Sequence, residues 1–300
     1  MKILVTGGTV FASRFTAEYF SAKGNEVYVL NRGTRPQSEG VTLIRADRQK
    51  LKKDELNDCK FDAVLDICAY NGKDVKKLVD ALGEFGTYIL VSSSAVYPET
   101  MAQPFREDQM TGMNTIWGKY GTDKIAAEHT LLDLVANAYI IRPPYLYGKM
   151  NNLYREAFVF DCAEKDLPFY VPKDGKMPLQ FFDIEDMCRF MEILLEKKPQ
   201  QRKFNVGNPV TVDVLEWVTA CYAVLGKKPE FRFVTEDIEQ REYFPFYDYG
   251  YKLKVELMSE LMSEVKPLEK GLEESYRWYA ENRELVRVKP LLEFISENFK

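Results

Sequence analysis

Three hundred residues suffice for one large domain or two small ones with a sizeable core, and 46% apolar with 29% charged residues exclude a disordered chain. A net charge of −5 argues against a large nucleic-acid footprint, and no apolar run approaches the ~20 residues of a membrane span. Five cysteines without a CxxC pair and a single histidine leave no disulfide framework or metal site to expect.

Strands and helices alternate through the first half. Residues 2–6 are an apolar strand running into Thr6-Gly7-Gly8-Thr9, and residues 11–23 carry an apolar face that stops at Gly24. Strands follow at 26–30, 41–44 and 63–68, the first of them ending in Asn31-Arg32-Gly33. A helix at 74–82, a strand at 88–93, a helix at 120–136 and a strand at 139–142 complete the series. Such alternation implies right-handed crossovers and an α/β fold, a Rossmann-type doubly wound parallel sheet whose ligands bind beyond the carboxyl ends of the strands.

After Gly148 the pattern loosens. Residues 151–165 read as a helix, 166–177 as loop-rich and 186–197 as an amphipathic helix, while 241–251 is dense in Tyr and Phe and reads as a packing surface before a helical tail. No repeat or low-complexity linker separates the parts. A dinucleotide-binding domain of residues 1–149 with about 185–208 and a smaller C-terminal α/β substrate-binding part, 150–184 with 209–300, are expected in one body. The short N-terminal strand is no secretory signal, so reduced thiols and a cytoplasmic location are expected.

Tyr120 and Lys124, four residues apart on one helix, present both side chains on one face. They lie downstream of Ser93 in Val91-Ser92-Ser93-Ser94-Ala95-Val96-Tyr97. A phenol, an ammonium one turn away and a hydroxyl at a strand end can move a proton while a nicotinamide moves a hydride. The cation favours the phenolate. A Tyr and a Lys at this spacing are more often a half-buried aromatic beside a solvated amine. The order of glycine turn, serine run and Tyr–Lys pair is what carries the catalytic reading. His129, on the same helix, is taken as structural.

These motifs resemble the extended short-chain dehydrogenase/reductase family, the NAD-dependent epimerase/dehydratase group. The resemblance continues through Arg142-Pro143-Pro144-Tyr145-Leu146-Tyr147-Gly148, Asp183-Ile184-Glu185-Asp186, Phe204-Asn205-Val206-Gly207 and Pro267-Leu268-Glu269-Lys270-Gly271-Leu272. It implies an NAD(P)-dependent oxidoreductase or isomerase. Tyr120 would be the acid/base, Lys124 the group that tunes it and holds the nicotinamide ribose, and Ser93, four residues before Tyr97, the donor to the reacting oxygen. The glycine turn would hold the dinucleotide diphosphate at Gly7, Gly8, Thr9, Val10 and Phe11, the free N–H groups of a helix N-terminus being its partners. The family's three glycine positions fall here on Gly7, Val10 and Ser13, and the β-branched Val10 stands where backbone should approach phosphate. This Thr-Gly-Gly-Thr-x-Phe form looks like a divergent branch that includes the chloroplast stem-loop-binding proteins.

An acid at the end of the second strand would select NAD, and an Arg the 2′-phosphate of NADP. Asn31 and Arg32 stand there, so NADP is favoured slightly over NAD. The resemblance assigns Asp47 and Arg48 to the adenine end, Cys68, Ala69 and Tyr70 to the nicotinamide ribose, and Pro143 with Pro144 to the nicotinamide. Ser94 and Ala95 occupy the places of the Asp-Glu pair of the group's dehydratases, which argues against 4,6-dehydration. Tyr145 and Leu179 occupy the places of the Asn and Arg that hold a nucleotide-sugar diphosphate. The substrate is therefore expected to lack that diphosphate unless Lys173 or Lys176 compensates. A homodimer through the Tyr120 helix is expected, with nucleic acid and membrane partners unexpected. A non-catalytic, RNA-associated dinucleotide binder and a nucleotide-sugar epimerase are the alternatives.

Overall fold

The computed structural model describes residues 1–299. Its first half lays down β1 (Lys2–Thr6), α1 (Phe11–Ala22), β2 (Glu26–Asn31), β3 (Val41–Arg45), β4 (Phe61–Asp66), α2 (Gly72–Ala81), β5 (Phe85–Val91), α3 (Lys119–Leu134) and β6 (Ala138–Arg142). Then come β7 (Tyr145–Tyr147), α4 (Glu156–Glu164), β8 (Phe169–Pro172), β9 (Pro178–Leu179), β10 (Phe181–Asp183), α5 (Ile184–Lys197) and β11 (Lys203–Asn205). The chain continues through β12 (Val212–Asp213), α6 (Val214–Val224), β13 (Phe231–Val234), α7 (Glu256–Leu261), α8 (Leu268–Glu281) and α9 (Leu291–Asn298).

Seven parallel strands form the main sheet in the order β3-β2-β1-β4-β5-β6-β11. Strands covered on both faces read as continuous apolar runs, and the centre of β1 is one: Ile3 and Val5 enter the core on the α1 and α5 side, Leu4 the core under α2 and α3. The strand order reverses between β1 and β4, the switch point where such sheets open a ligand crevice. Beyond the sheet, β7 pairs with β10, β8 with β13 and β9 with β12, and α4, α6 and α8 pack on one another. Among the described residues no helix is long and apolar enough to cross a membrane.

Several element boundaries differ from the sequence reading. β4 and β5 run at Phe61–Asp66 and Phe85–Val91, each about two residues earlier than expected. Their apolar runs continue past the point where pairing stops: the Cys68 N–H donates to the Thr6 hydroxyl rather than to a neighbouring strand. The helix expected from residue 151 starts at Glu156, because Met150 is at φ +70 and the Asn151 carboxamide donates to Glu156. The expected loop at 166–177 contains β8, which finds its partner β13 about sixty residues on. α6 was not anticipated, although Asp213 and Glu216 close a reciprocal capping box at its start, a signal present in the sequence.

Candidate active site

The carboxyl ends of β1, β2 and β4 open on two adjoining clefts. One, of about 270 Å3, is lined by Gly7, Asn31, Arg32, Asp47, Arg48, Cys68 and Tyr70 among others. The other, of about 280 Å3, runs past Thr9, Val10, Phe11, Arg14 and Arg35 to Asn152, Trp278 and Leu285. Between them lies the start of α1. Val10 has no side chain capping the helix, which leaves first-turn N–H groups facing outward. Gly7 is at φ +90, and a Cβ there would come within 2.7 Å of Cys68 Sγ and Ser13 Oγ, so a side chain would fill the cradle. Phe11 opens the helix at φ +34, a backbone region that non-glycine residues seldom adopt and that gathers at functional sites. A dinucleotide diphosphate fits this cradle.

Not every residue expected at the cofactor turns a free group to the cleft. The Asn31 carboxamide donates to the Gly7 carbonyl (2.6 Å) and to Gln37, and accepts from the Gly33 N–H (2.8 Å), so it shapes the loop. Arg48 grips Asp66 through both terminal nitrogens (2.6 and 2.5 Å) and gives its third bond to the Asp74 carbonyl. Gly8 packs on β2, where a Cβ would meet Val29 at 2.5 Å. Asp47 caps the turn after β3 by accepting from the Gln49 N–H. Arg32, exposed beside this loop, forms no ion pair among the described residues.

Asp66 itself was missed by sequence reasoning. It is fully buried at the end of β4 and accepts from Thr6, Arg48 and Tyr88. The Arg48 guanidinium and three hydrogen bonds hold its carboxyl below the usual range despite burial. A second buried network joins Arg142 to Glu128 in a bidentate pair (2.9 and 2.6 Å) and to the Tyr97 hydroxyl (2.7 Å), which donates to Asn205. Ser92 donates to the same Glu128. The serine-bearing strand end is thereby fixed to α3 and β6.

The catalytic candidates come together at the ends of β4 and β5. Lys124 is buried at 4% exposure, and its ammonium donates to the Ala69 carbonyl (2.7 Å) and the Val91 carbonyl (2.9 Å). The same nitrogen lies 5.9 Å from the Tyr120 ring centre and 5.7 Å from that of Tyr70. An ammonium has three N–H donors, so one remains for a ligand. Tyr120 is 43% exposed and its hydroxyl makes no hydrogen bond among the described residues. Ser93 is half-buried and accepts from the Ala95 N–H, which leaves its own O–H free to donate. Pro143 is buried, its carbonyl accepting from the Ser94 N–H.

Beside these residues stands an aromatic wall. Trp117, three residues before Tyr120, packs edge-on against Tyr247 (5.2 Å), and Tyr145 leans on Phe246 (4.5 Å). Ser94 donates to the Tyr251 hydroxyl. The two Lys residues that could have compensated for the missing arginine pair with carboxylates instead: Lys173 with Asp248 (2.5 Å) and Lys176 with Asp213 (2.8 Å). Leu179 is wholly buried in the core and offers nothing to a ligand.

Residues 3–207 match the model of the NAD dependent epimerase/dehydratase family. Over 302 aligned residues the chain is 27% identical to the Chloroplast stem-loop binding protein of 41 kDa b of Arabidopsis thaliana, covering 92% of this chain and 78% of that one. It is 24% identical to a dTDP-4-dehydro-6-deoxy-D-allose reductase of Streptomyces sp, with 92% and 95% covered. Its fold is similar to that of the UDP-glucuronic acid 4-epimerase of Bacillus cereus solved with UDP-glucuronic acid and NAD (TM-score 0.72, 18% identity, 94% and 99% covered). It is also similar to that of the UDP-glucose 4-epimerase of Thermotoga maritima solved with UDP-glucose (TM-score 0.74, 17% identity, 94% and 100% covered).

Proposed function

The chain belongs to the NAD dependent epimerase/dehydratase family, and on that premise we propose that Ser93, Tyr120 and Lys124 carry its chemistry on a carbonyl or secondary alcohol. The enzyme is NAD(P)-dependent. A bound dinucleotide supplies or takes up a hydride at the reacting carbon. Tyr120 gives or takes the proton on the reacting oxygen, and Ser93 donates a hydrogen bond to that oxygen. The Lys124 ammonium stands beside the Tyr120 ring, and its third N–H is free for a ribose hydroxyl. The observation that carries this reading is the fixed, buried ammonium beneath the Tyr120 and Tyr70 rings.

Gly7, Thr9, Val10 and Phe11 would hold the diphosphate. Arg32 favours NADP, since its guanidinium suits a 2′-phosphate and no carboxylate follows β2. Residues 1–149 with about 185–208 form the dinucleotide-binding part in this reading. Ser94 and Ala95 leave reduction or epimerisation rather than 4,6-dehydration, and the buried Leu179 speaks against the usual mode of holding a nucleotide sugar. Tyr120→Phe is expected to lower turnover about 10²–10⁴-fold with little change in dinucleotide affinity. Near-full activity in that variant overturns the mechanism.

Assembly is proposed as a homodimer through α3, on which Ala126 and Leu134 are exposed. Light scattering at the monomer mass of 34.8 kDa refutes it. The Arabidopsis relative's name favours RNA association as a second reading. The net charge of −5 weighs against it. A salt-dependent RNA mobility shift beside an NADPH turnover screen separates the two.

A further inference from the structure

Asp74, in the first turn of α2, is only 2% exposed. The Asn71 side chain caps this helix by accepting from the Asp74 N–H (3.1 Å). An acidic residue so placed ordinarily returns its side chain to the N–H of the capping residue. Asp74 passes over Asn71 and accepts instead from the Tyr70 N–H (2.8 Å), while its other carboxylate oxygen accepts from Gln49. Its carbonyl takes the Arg48 Nε (2.9 Å).

The Tyr70 N–H and the Ala69 carbonyl belong to one planar peptide unit. That carbonyl accepts from the Lys124 ammonium (2.7 Å). One peptide therefore lies between a carboxylate at its N–H end and an ammonium at its C=O end, and each charge strengthens the bond made by the other. The Tyr70 ring, carried by the same peptide, has its centre 5.7 Å from the Lys124 nitrogen. The start of α2 also sits hard against α3, since a Cβ on Gly72 would come within 2.5 Å of the Thr130 hydroxyl. Gln49, Tyr70 and Asp74 all line the cleft at the ends of β1, β2 and β4, and the carboxylate ties its two sides together.

We propose that Asp74 is a positioning residue for Lys124, holding the ammonium in place through the 69–70 peptide so that its third N–H meets the nicotinamide-side ribose of a bound dinucleotide. This deepens the reading of Lys124 given above and rests on it. Capping does not account for the arrangement: Asn71 already closes the first turn, and a capping carboxylate needs no partner across the cleft. The adenine side does not depend on the Asp74 side chain. Arg48 keeps both bonds to Asp66, and its bond to a main-chain carbonyl, whatever residue stands at 74.

Titration calorimetry of the full chain would use NADPH and NADH, and the adenine-end fragments adenosine 2′,5′-bisphosphate and ADP measured by displacement. Asp74→Asn keeps the shape of the side chain and an acceptor for the Tyr70 N–H but removes the charge. It should weaken the better-bound dinucleotide about threefold or more and leave the matching fragment within about twofold. Asp74→Ala also removes the acceptor and should cost the dinucleotide about tenfold or more, so that Asn restores part of what Ala loses. In a Lys124→Met background Asp74→Asn should cost nothing further, because the group it positions is gone. Equal weakening of dinucleotide and fragment, or no weakening of either by Asp74→Asn, overturns the proposal. So does an undiminished loss in the Lys124→Met background. If Asp74→Ala or the double variant fails to fold, the contrast measured with Asp74→Asn decides. A wild-type chain that binds neither dinucleotide overturns the functional reading itself and this proposal with it, whereas a chain that binds one and shows no contrast fails here alone.

Discussion

Replacing Lys124 with Met keeps the aliphatic stem and removes the ammonium that joins the ends of β4 and β5. Two buried carbonyls, Ala69 and Val91, then lose their charge-assisted donor. Leaving a buried acceptor unmade costs about 1–3 kcal/mol each. Part of this is returned, because the variant no longer buries a charge at a site only 4% exposed. The net loss should be about 2–4 kcal/mol, read in urea unfolding as a lower midpoint with an unchanged slope. Tyr120→Phe is the matched control: its hydroxyl is solvent-facing and unbonded, so its unfolding free energy should stay within about 0.5 kcal/mol of the wild type. Both variants should lose turnover, but only Lys124→Met should lose stability. If Lys124→Met unfolds within about 0.5 kcal/mol of the wild type, the ammonium does not hold those strand ends and the geometry assigned to it is wrong.

Arg32→Ala should weaken NADPH far more than NADH in titration calorimetry, since only the former offers a phosphate to a guanidinium; equal weakening of both would reduce Arg32 to an adenine-stacking role. Asp183 is buried at the start of α5, and burial, opposed chiefly by Lys266, raises its pKa from 3.8 to about 6. A carboxyl whose folded pKa is raised contributes stability below its unfolded pKa and loses it as pH rises through the folded one. At about 1.4 kcal/mol per tenfold change in proton affinity, unfolding measured from pH 4 to 7 should shift in favour of Asp183→Asn over the wild type by up to about 3 kcal/mol. A difference constant across that window would refute the assignment.

Local patterning carried the fold a long way. The uninterrupted apolar runs of β1 and β2 and the glycine turn after β1 could mean little except a buried parallel sheet with a crevice above it. The Tyr120–Lys124 spacing put both side chains on one face of α3, as periodicity requires. What could not be seen was where pairing stops, because Ile67 and Cys68 prolong an apolar run without belonging to a strand. The polar knots were hidden for a different reason. Arg48, Asp66 and Tyr88 come from separate strands and loops, and no local pattern marks Asp66 as their common acceptor. The start of α6 is legible in Asp213 and Glu216, whose three-residue spacing is that of a capping box.

The last strand of the main sheet arrives out of sequence. β11 pairs with β6 only after the chain has left through β7 to α5 and come back. A fragment ending near residue 149 would therefore bare the whole flank of β6, whose five residues Ala138–Arg142 are all buried in the intact chain. An apolar edge of that kind recruits any strand it meets. The return of β11 also brings Asn205, which takes the Tyr97 hydroxyl and donates to the Phe105 carbonyl. The Tyr97 hydroxyl at the end of the serine-bearing loop thus finds its acceptor 108 residues downstream, so this loop should complete its contacts only after residue 205 has been made. Expression of the first half alone should yield aggregates rather than an independent nucleotide-binding module, and ribosome-bound nascent chains should gain protease resistance late.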